Sequence, residues 1–278
     1  MTIVMIRQPF SQGGYIFVIR RFFSQAWLNA KVHNGGLNLT EFLAYRVGIS
    51  ITTLLLYVLI AQFTTGGTVD LTAWVIGNAF ALCIAECVFR LGSTFSFERI
   101  SGRLRVIIAS PTHKLAVVMY NGVASIVISV ITISVSFVIG GLLFNVNFGE
   151  IHMGMLVTSI LVAAFTCVGF GLLLSVFTLI TDSMHLVLNA VGSTIIIFSG
   201  ANFPVNQLPV FVQWVANFLP LYRSVAAANM SMGGSLSQEF GRLIGGEFIL
   251  GMIFYLLAFA LIKVMERISI KRATLELF

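Results

Sequence analysis

Long apolar runs separated by short polar connections dominate the chain. Six of these runs reach the length of about 20 residues that an α-helix needs to cross a bilayer. They cover residues 42–63, 71–91, 115–144, 153–181, 183–203 and 243–265. The third and fourth runs are long enough to tilt or to project from the bilayer. The pattern predicts an all-α integral membrane protein with six transmembrane helices.

A different pattern precedes the first run. Over residues 15–31, apolar side chains recur at helical spacing while most charged and polar ones fall elsewhere on the helical wheel. The positions that distinguish the two faces include Arg20, Arg21, Phe23 and Trp27. This predicts an amphipathic helix in the membrane interface, and packing on a partner protein is a compatible alternative. Asn38 or Thr40 is expected to cap the next helix.

Composition agrees with a membrane protein. Hydrophobic residues make up 58% of the 278 residues, charged residues only 9%, and the mean hydropathy is +0.99. Such a chain has too little polar surface to cover a soluble globule of this size. The net charge of +6 is not gathered into a basic face with interleaved aromatic residues, which argues against a nucleic-acid partner. Residues 1–10 contain no apolar run of signal-peptide length, so we expect no cleaved leader.

The basic residues predict the orientation of the runs. Fourteen of the sixteen, including Arg46 near the start of the first run, belong to the N-terminal segment, the second-to-third connection or the tail. The opposite connections contain only Arg223 and Arg242. By the positive-inside rule, both termini are cytoplasmic in a multi-pass protein of the inner cell membrane. The expected organisation is a cytoplasmic N-terminal segment (1–41), a membrane domain (42–265) and a cytoplasmic tail (266–278).

Several kinds of chemistry have no motif here. No Gly-Lys pair of a phosphate-binding loop occurs, the four histidines are scattered, and no serine lies in a Gly-x-Ser-x-Gly turn. We therefore expect no ATP site, no cofactor and no metal site on this chain. Cys83, Cys87 and Cys167 fall inside apolar runs, where small-residue packing is their ordinary role.

One carboxylate, Glu86, is identified within the predicted spans. A charge at that depth costs several kcal/mol, and Arg90 follows one helical turn later, so a local ion pair is the first interpretation. A lining group for substrate or a contact with the interfacial helix is the alternative, and a metal site with Cys83 and Cys87 is disfavoured. Candidate residues of a translocation path are Asn78, Glu86, Asn189, Ser193, Thr194 and Phe198. Small polar side chains also hold helices together, which is the alternative for this series.

The segment at 203–222 is too apolar for an ordinary loop and contains three prolines, which exclude a continuous helix. A helix over 210–219 would be only about 15 Å long, half a bilayer. We expect a re-entrant or interfacial helix pair on the outer side. An amphipathic loop on the outer leaflet is the alternative.

Two motifs carry a resemblance to a known family. The run Phe97-Glu98-Arg99-x-x-Gly102-Arg103-Leu104, followed by Ser110-Pro111, resembles the cytoplasmic coupling segment of ABC-2-type transporter permeases. The run Ser199-Gly200-x-x-Phe203-Pro204, with Leu208-Pro209 and Leu219-Pro220-Leu221, is similar to that family's stretch after the fifth span. With six spans and an amphipathic N-terminal helix, the resemblance covers nearly the whole chain.

The resemblance implies the membrane subunit of an ATP-driven exporter. ATP and Mg²⁺ would bind a separate pair of ABC ATPase subunits, which agrees with the missing phosphate loop. Within the coupling segment (96–114), the ATPase would contact Glu98, Arg99, Ser101, Gly102, Arg103 and Leu104, braced by the interfacial helix. An external gate would comprise Gly200, Phe203, Pro204, Leu208, Pro209 and Pro220. Two permease subunits, identical or different, would line the path with their second and fifth spans.

The resemblance also bears on the substrate. Permeases for capsular or O-antigen glycans usually carry Tyr-Arg and Leu-Gly-x-x-Trp before the first span, and this chain has only Ala44-Tyr45-Arg46. We therefore expect amphipathic small molecules, drugs or peptides, with lipid-linked glycan as the alternative. A secondary transporter is disfavoured by the single intramembrane carboxylate and the lack of a clear repeat. An intramembrane enzyme is disfavoured by the missing catalytic pair.

Overall fold

The computed structural model describes residues 24, 38–66, 71–100, 114–144, 151–177, 183–202, 205, 208–233 and 237–271. In chain order the helices are α1 (Leu39–Thr65), α2 (Leu71–Ile84), a π-helical segment (Ala85–Leu91), α3 (Thr94–Ile100), α4 (Lys114–Phe144), α5 (Met153–Phe177), α6 (Met184–Phe198), α7 (Val210–Ala216), α8 (Tyr222–Met230), a 3₁₀ turn (Ser231–Gly233) and α9 (Gln238–Lys271). The described residues form helices and turns without any β-strand. The predicted all-α class is therefore confirmed.

Five helical stretches of the described chain are long and apolar enough to cross a membrane. They are Thr40–Thr64, Leu71–Glu98, Asn121–Phe144, Met153–Phe177 and Gln238–Ile262. The fifth predicted span corresponds to α6, which has 15 residues and is about 22 Å long, short of a hydrocarbon core of about 30 Å. The backbone turns after α6 at Gly200, whose φ of 75° lies in the left-handed region that glycine adopts without strain.

Helix boundaries follow local signals only in part. The side chains of Asn38 and Glu41 form a reciprocal capping box at the start of α1, and the Asn38 N–H donates to Glu41 Oε2 over 3.0 Å. The expectation that Asn38 caps this helix is confirmed, while Thr40 lies inside it. The last helix begins at Gln238, whereas the apolar run begins at residue 243. The helix starts with a polar stretch that contains Glu239 and Arg242, and an apolar run does not include such residues.

The bundle is organised around α5, which packs against α9, α4 and the π-helical segment. Helices α5 and α9 approach closely because glycines face each other's helix. A Cβ on Gly251 would lie 2.9 Å from Thr166 Oγ1, and one on Gly169 would lie 3.1 Å from the Gly251 carbonyl oxygen. Stacked rings of Phe165 and Phe248, 5.1 Å apart, continue this contact. Helix α1 packs on the other side of the bundle, against α2 and α4.

Candidate functional site

A cluster of buried charges joins three helices near the end of the second span. Glu86, in the π-helical segment, forms an ion pair with Arg46 of α1. Its other carboxylate oxygen accepts a hydrogen bond from Arg90 Nε over 2.9 Å. Arg90 Nη2 in turn donates to Ser125 Oγ of α4. The predicted Glu86–Arg90 ion pair is present, and Arg46 and Ser125 extend it to neighbouring helices.

These charges are withdrawn from solvent and unequal in number. The side chains of Arg46 and Glu86 are only 4% and 7% exposed, and two guanidinium groups share one carboxylate. Arg46 also lies over the rings of Phe42 and Tyr45, at 5.0 and 5.6 Å from their centroids, so aromatic faces supply part of its electrostatic environment. Such a cluster ties α1, the second span and α4 together, because removing one partner leaves a buried charge uncompensated.

The π-helical segment itself was not predicted. Residues Ala85–Leu91 follow α2 without a break, and π-helical turns inside α-helices often occur at functional sites. Gly171 of α5 presses directly on this segment, because a Cβ there would collide with the Cys87 carbonyl oxygen. Glu86 and Arg90 are four residues apart, which is also the spacing of ion pairs on an ordinary α-helix. The local sequence therefore did not indicate a π-helix.

The three cysteines lie beside the charge cluster and are buried free thiols, as their apolar context predicted. Cys83 Sγ lies 3.7 Å from Cys87 Sγ, which lies 3.2 Å from Ser129 Oγ of α4. Among the described residues, no group of three or more histidine, cysteine or carboxylate side chains is arranged to hold a metal ion.

The candidate path residues separate into two environments. Asn78 and Glu86 are buried inside the subunit, and Asn78 Nδ2 donates to the Trp74 carbonyl oxygen over 2.9 Å. On α6, by contrast, Asn189 and Ser193 are exposed, and Thr194 and Phe198 are half-buried.

Helix α6 owes this exposure to its two unlike faces. One face packs on the π-helical segment, where a Cβ on Gly192 would lie 2.7 Å from the Phe89 ring. The other carries exposed His185, Asn189 and Ser193 at four-residue intervals. We call these three residues the polar stripe. The sequence analysis did not include His185 among the path residues, although its spacing of four residues from Asn189 places both on the same face of a helix.

Residues 208–233, which we call the outer segment, contain the two helices α7 and α8. Helix α7 is largely exposed, with Phe211 77% and Trp214 68% accessible. Helix α8 is buried and packs against α5, α9 and α2. The predicted helix over 210–219 ends at Ala216, and the second helix of the expected pair, α8, begins only at the last residue of the predicted segment, Tyr222. Gly200, Leu208, Pro209 and Pro220 are the candidate gate residues within the described chain, whereas Phe203 and Pro204 lie outside it.

A second carboxylate is buried in the membrane domain, which corrects the expectation that Glu86 is the only one. Glu247 of α9 has no exposed surface, and its Oε1 accepts a hydrogen bond from the Leu221 N–H over 2.8 Å. Thr166 Oγ1 of α5 donates to the Glu247 carbonyl oxygen over 3.0 Å. Glu247 falls inside the predicted sixth run. A charged residue within an apolar stretch could therefore have indicated this buried carboxylate from the sequence.

The candidate coupling residues are described only in part. Glu98 is buried, with 8% exposure, whereas the neighbouring Phe97 is 43% exposed. Arg99 belongs to α3 by its backbone. The other coupling and connecting-helix candidates lie outside the described residues, namely Ser101, Gly102, Arg103, Leu104, Arg20, Arg21, Phe23 and Trp27.

Comparison with models of known protein families identifies the family of this chain. The model of the ABC-2 family transporter proteins matches residues 63–263, well over half of the chain. The chain belongs to the ABC-2 family of transporter proteins. ABC-2 permeases are membrane transport components that generally work with an ABC ATPase. The matched region contains Glu86, Arg90 and Ser125 of the charge cluster, the polar stripe and Glu247, whereas Arg46 precedes it. None of the curated proteins compared with the chain matches it.

The family and the apolar helices together identify a multi-pass membrane permease of an ABC-type transporter. Both motifs on which the resemblance rested, residues 97–111 and 199–221, lie within the matched range. The predicted family is therefore confirmed.

Proposed function

We propose that this permease subunit exports amphipathic small molecules, drugs or peptides from the cytoplasm or the inner leaflet, driven by a separate pair of ABC ATPase subunits. One observation carries the proposal. The second span continues through the π-helical segment into α3, so that the helical stretch from Leu71 to Glu98 has 28 residues. At the α-helical rise of 1.5 Å per residue it would be at most about 42 Å long, against a hydrocarbon core of about 30 Å. Unless it tilts strongly, its far end projects from the bilayer where the coupling motif begins.

The charge cluster gives this helical stretch a rigid base. Because Glu86 binds Arg46 of α1 and Arg90 binds Ser125 of α4, a displacement of α3 is transmitted to the first and third spans. Closely packed helices move as rigid bodies more readily than they deform. We propose that movement of the ATPase reaches the membrane domain through Glu98, Arg99, Ser101, Gly102, Arg103 and Leu104 in this way.

The polar stripe supports a path between two permease subunits. Exposed polar side chains at membrane depth require a protein partner or a water-filled path, because lipid cannot hydrogen-bond to them. A second subunit facing α6 would enclose His185, Asn189 and Ser193 between the two copies. The outer segment would close the path at the outer surface, and the basic residues support cytoplasmic termini in an inner membrane.

The low charge of the described membrane helices favours amphipathic substrates. The polar stripe offers an imidazole, an amide and a hydroxyl group, with apolar Val187 and Ile197 exposed on the same helix. Such a surface suits molecules that combine apolar area with a few hydrogen-bonding groups. Export of a lipid-linked glycan is the outcome to be excluded.

The test is reconstitution of the permease with its ATPase in proteoliposomes. Arg103→Ala and Gly102→Ala are expected to reduce ATP hydrolysis to the level of the ATPase alone and to abolish export of an amphipathic dye. Arg242→Ala is the matched control, because Arg242 is an exposed arginine in the first turn of α9. Full activity in the Arg103 and Gly102 variants contradicts the coupling role, and transport driven by a proton gradient without ATP contradicts the function.

A further inference from the structure

Glu247 lies in an unusual position for a carboxylate. It is fully buried in α9, and its Oε1 accepts a hydrogen bond from the Leu221 N–H at the start of α8. The second oxygen, Oε2, has no hydrogen-bond partner among the described residues. Charged side chains at membrane depth are costly and usually belong to functional parts of a protein.

Helix α8 cannot cap its own N-terminus. The N-cap position is Leu221, and no side chain of the local sequence forms a capping hydrogen bond there. The first N–H groups of a helix need acceptors, and a negative charge at that end is favourable. Glu247 supplies both from another helix. The polypeptide therefore depends on α9 to fix where α8 begins.

Leu221 is held in a strained conformation. Its φ of 82° lies in the left-handed region, and it is the only residue other than glycine with a positive φ in the described chain. Such a conformation persists only where the surroundings impose it. The side chain of Leu221 is fully buried, and its N–H is bonded to Glu247. Loss of that bond lets Leu221 relax to a negative φ, which changes the direction of α8.

The direction of α8 matters for the path. Helix α8 packs against α2, α5 and α9, and the outer segment connects α6, which carries the polar stripe, with the last span. We propose that Glu247 is a positioning residue of the outer gate: its carboxylate latches Leu221 and α8 in the buried position, and opening the path outwards requires that latch to break. This inference rests on the proposed transport function and names the contact that controls its gate.

The experiment uses Ser224→Cys as a reporter on α8. Ser224 is fully buried and its hydroxyl has no hydrogen-bond partner among the residues that the structure describes, so a thiol fits there at little cost. Reaction with a membrane-impermeant maleimide added outside measures how often α8 leaves its site. The chain without the reporter gives the background, since its three cysteines are buried.

The expected results follow from the geometry. Adding Glu247→Ala raises the labelling rate about tenfold, the value of one net hydrogen bond. Glu247→Gln keeps the acceptor and stays within about twofold of the parent. Glu247→Ala also speeds dye export, because opening no longer has to break this hydrogen bond. Glu239→Gln, an exposed site on α9, changes neither rate.

Several results would overturn the latch. Unchanged labelling in the Glu247→Ala variant does so, as does a Glu247→Gln variant that is labelled as fast as Glu247→Ala. Faster labelling without faster dye export would show that the contact does not control the gate. Should Glu247→Ala fail to give a monodisperse protein in detergent, Glu247→Met replaces it, because methionine fills a similar volume without an acceptor oxygen. A parent chain that does not transport with its ATPase refutes the proposed function, while the labelling series still decides whether the latch exists.

Discussion

Two of the buried carboxylates among the described residues, Glu86 and Glu247, are held in different ways. Glu86 is paired with two arginines from different helices, whereas Glu247 binds a backbone N–H at the start of α8. The first arrangement depends on charge and joins three spans. The second centres on a hydrogen bond to the backbone at the start of α8, to which the charge of Arg223 adds, and joins a span to the outer segment. Under the functions proposed above, the ion pairs keep three spans together, whereas the contact with α8 is the one that has to break.

The largest effect is expected from breaking the charge cluster. Glu86→Ala leaves the Arg46 and Arg90 side chains buried without their anion, at a cost of about 3–5 kcal/mol in the free energy of unfolding. Equilibrium unfolding in mixed detergent micelles measures this loss. The triple variant Arg46→Met, Glu86→Leu, Arg90→Met should recover most of it, because apolar replacement of a whole ionic cluster is often neutral or stabilising. A triple variant no more stable than Glu86→Ala would show that the charges are not the cause.

The two carboxylates are compared most directly by replacing each glutamate with glutamine. Glu86→Gln removes the charge that two guanidinium groups require, so we expect a loss of about 3 kcal/mol. Glu247→Gln keeps the oxygen that Leu221 binds, and its stability should stay within about 1 kcal/mol of the parent. The same unfolding measurement on both variants decides the matter. Equal losses would mean that both carboxylates act through charge.

A third prediction concerns the glycine that supports the π-helical segment. Gly171→Ala forces a Cβ against the Cys87 carbonyl oxygen, and overpacking of this kind costs about 1–3 kcal/mol. Gly245→Ala is the matched control, because nothing lies within 4 Å of a Cβ there. The control should gain about 0.5–1 kcal/mol from the lower entropy of its unfolded chain. Thermal unfolding of both variants, followed by helical circular dichroism, tests the difference.

The smallest effect is expected at Thr166. Thr166→Val keeps the side-chain shape but removes the hydrogen bond to the Glu247 carbonyl oxygen, at a cost of about 1 kcal/mol. Thr158→Val on the same helix is the control, because Thr158 is exposed and, among the described residues, its hydroxyl donates to the Gly154 and Met155 carbonyl oxygens of α5. It should change stability by less than about 0.5 kcal/mol. Indistinguishable unfolding curves for the two variants would contradict the contact between α5 and α9.

Prediction from the sequence succeeded where the signal is local. The apolar runs located the helices, and Asn38 with Glu41 marked the start of α1. The Glu86–Arg90 pair was readable from its spacing. Prediction was wrong about the number of buried carboxylates, because the hydropathy of a long window hides a single glutamate. The end of α6 was also missed, because the turn at Gly200 depends on the close approach of Ala201 to Gly77 of α2.

By itself the sequence determined the class, the approximate position of each membrane helix and the family motifs. These properties are sums over neighbouring residues, or side chains at fixed spacing on one helix. Only the tertiary structure decided that Arg46 binds Glu86 and that Glu247 binds Leu221, because those partners are 40 and 26 residues apart. The hydropathy of an apolar helix does not specify which neighbouring helix it packs against. Its polar contacts with other helices are therefore known only from the assembled bundle.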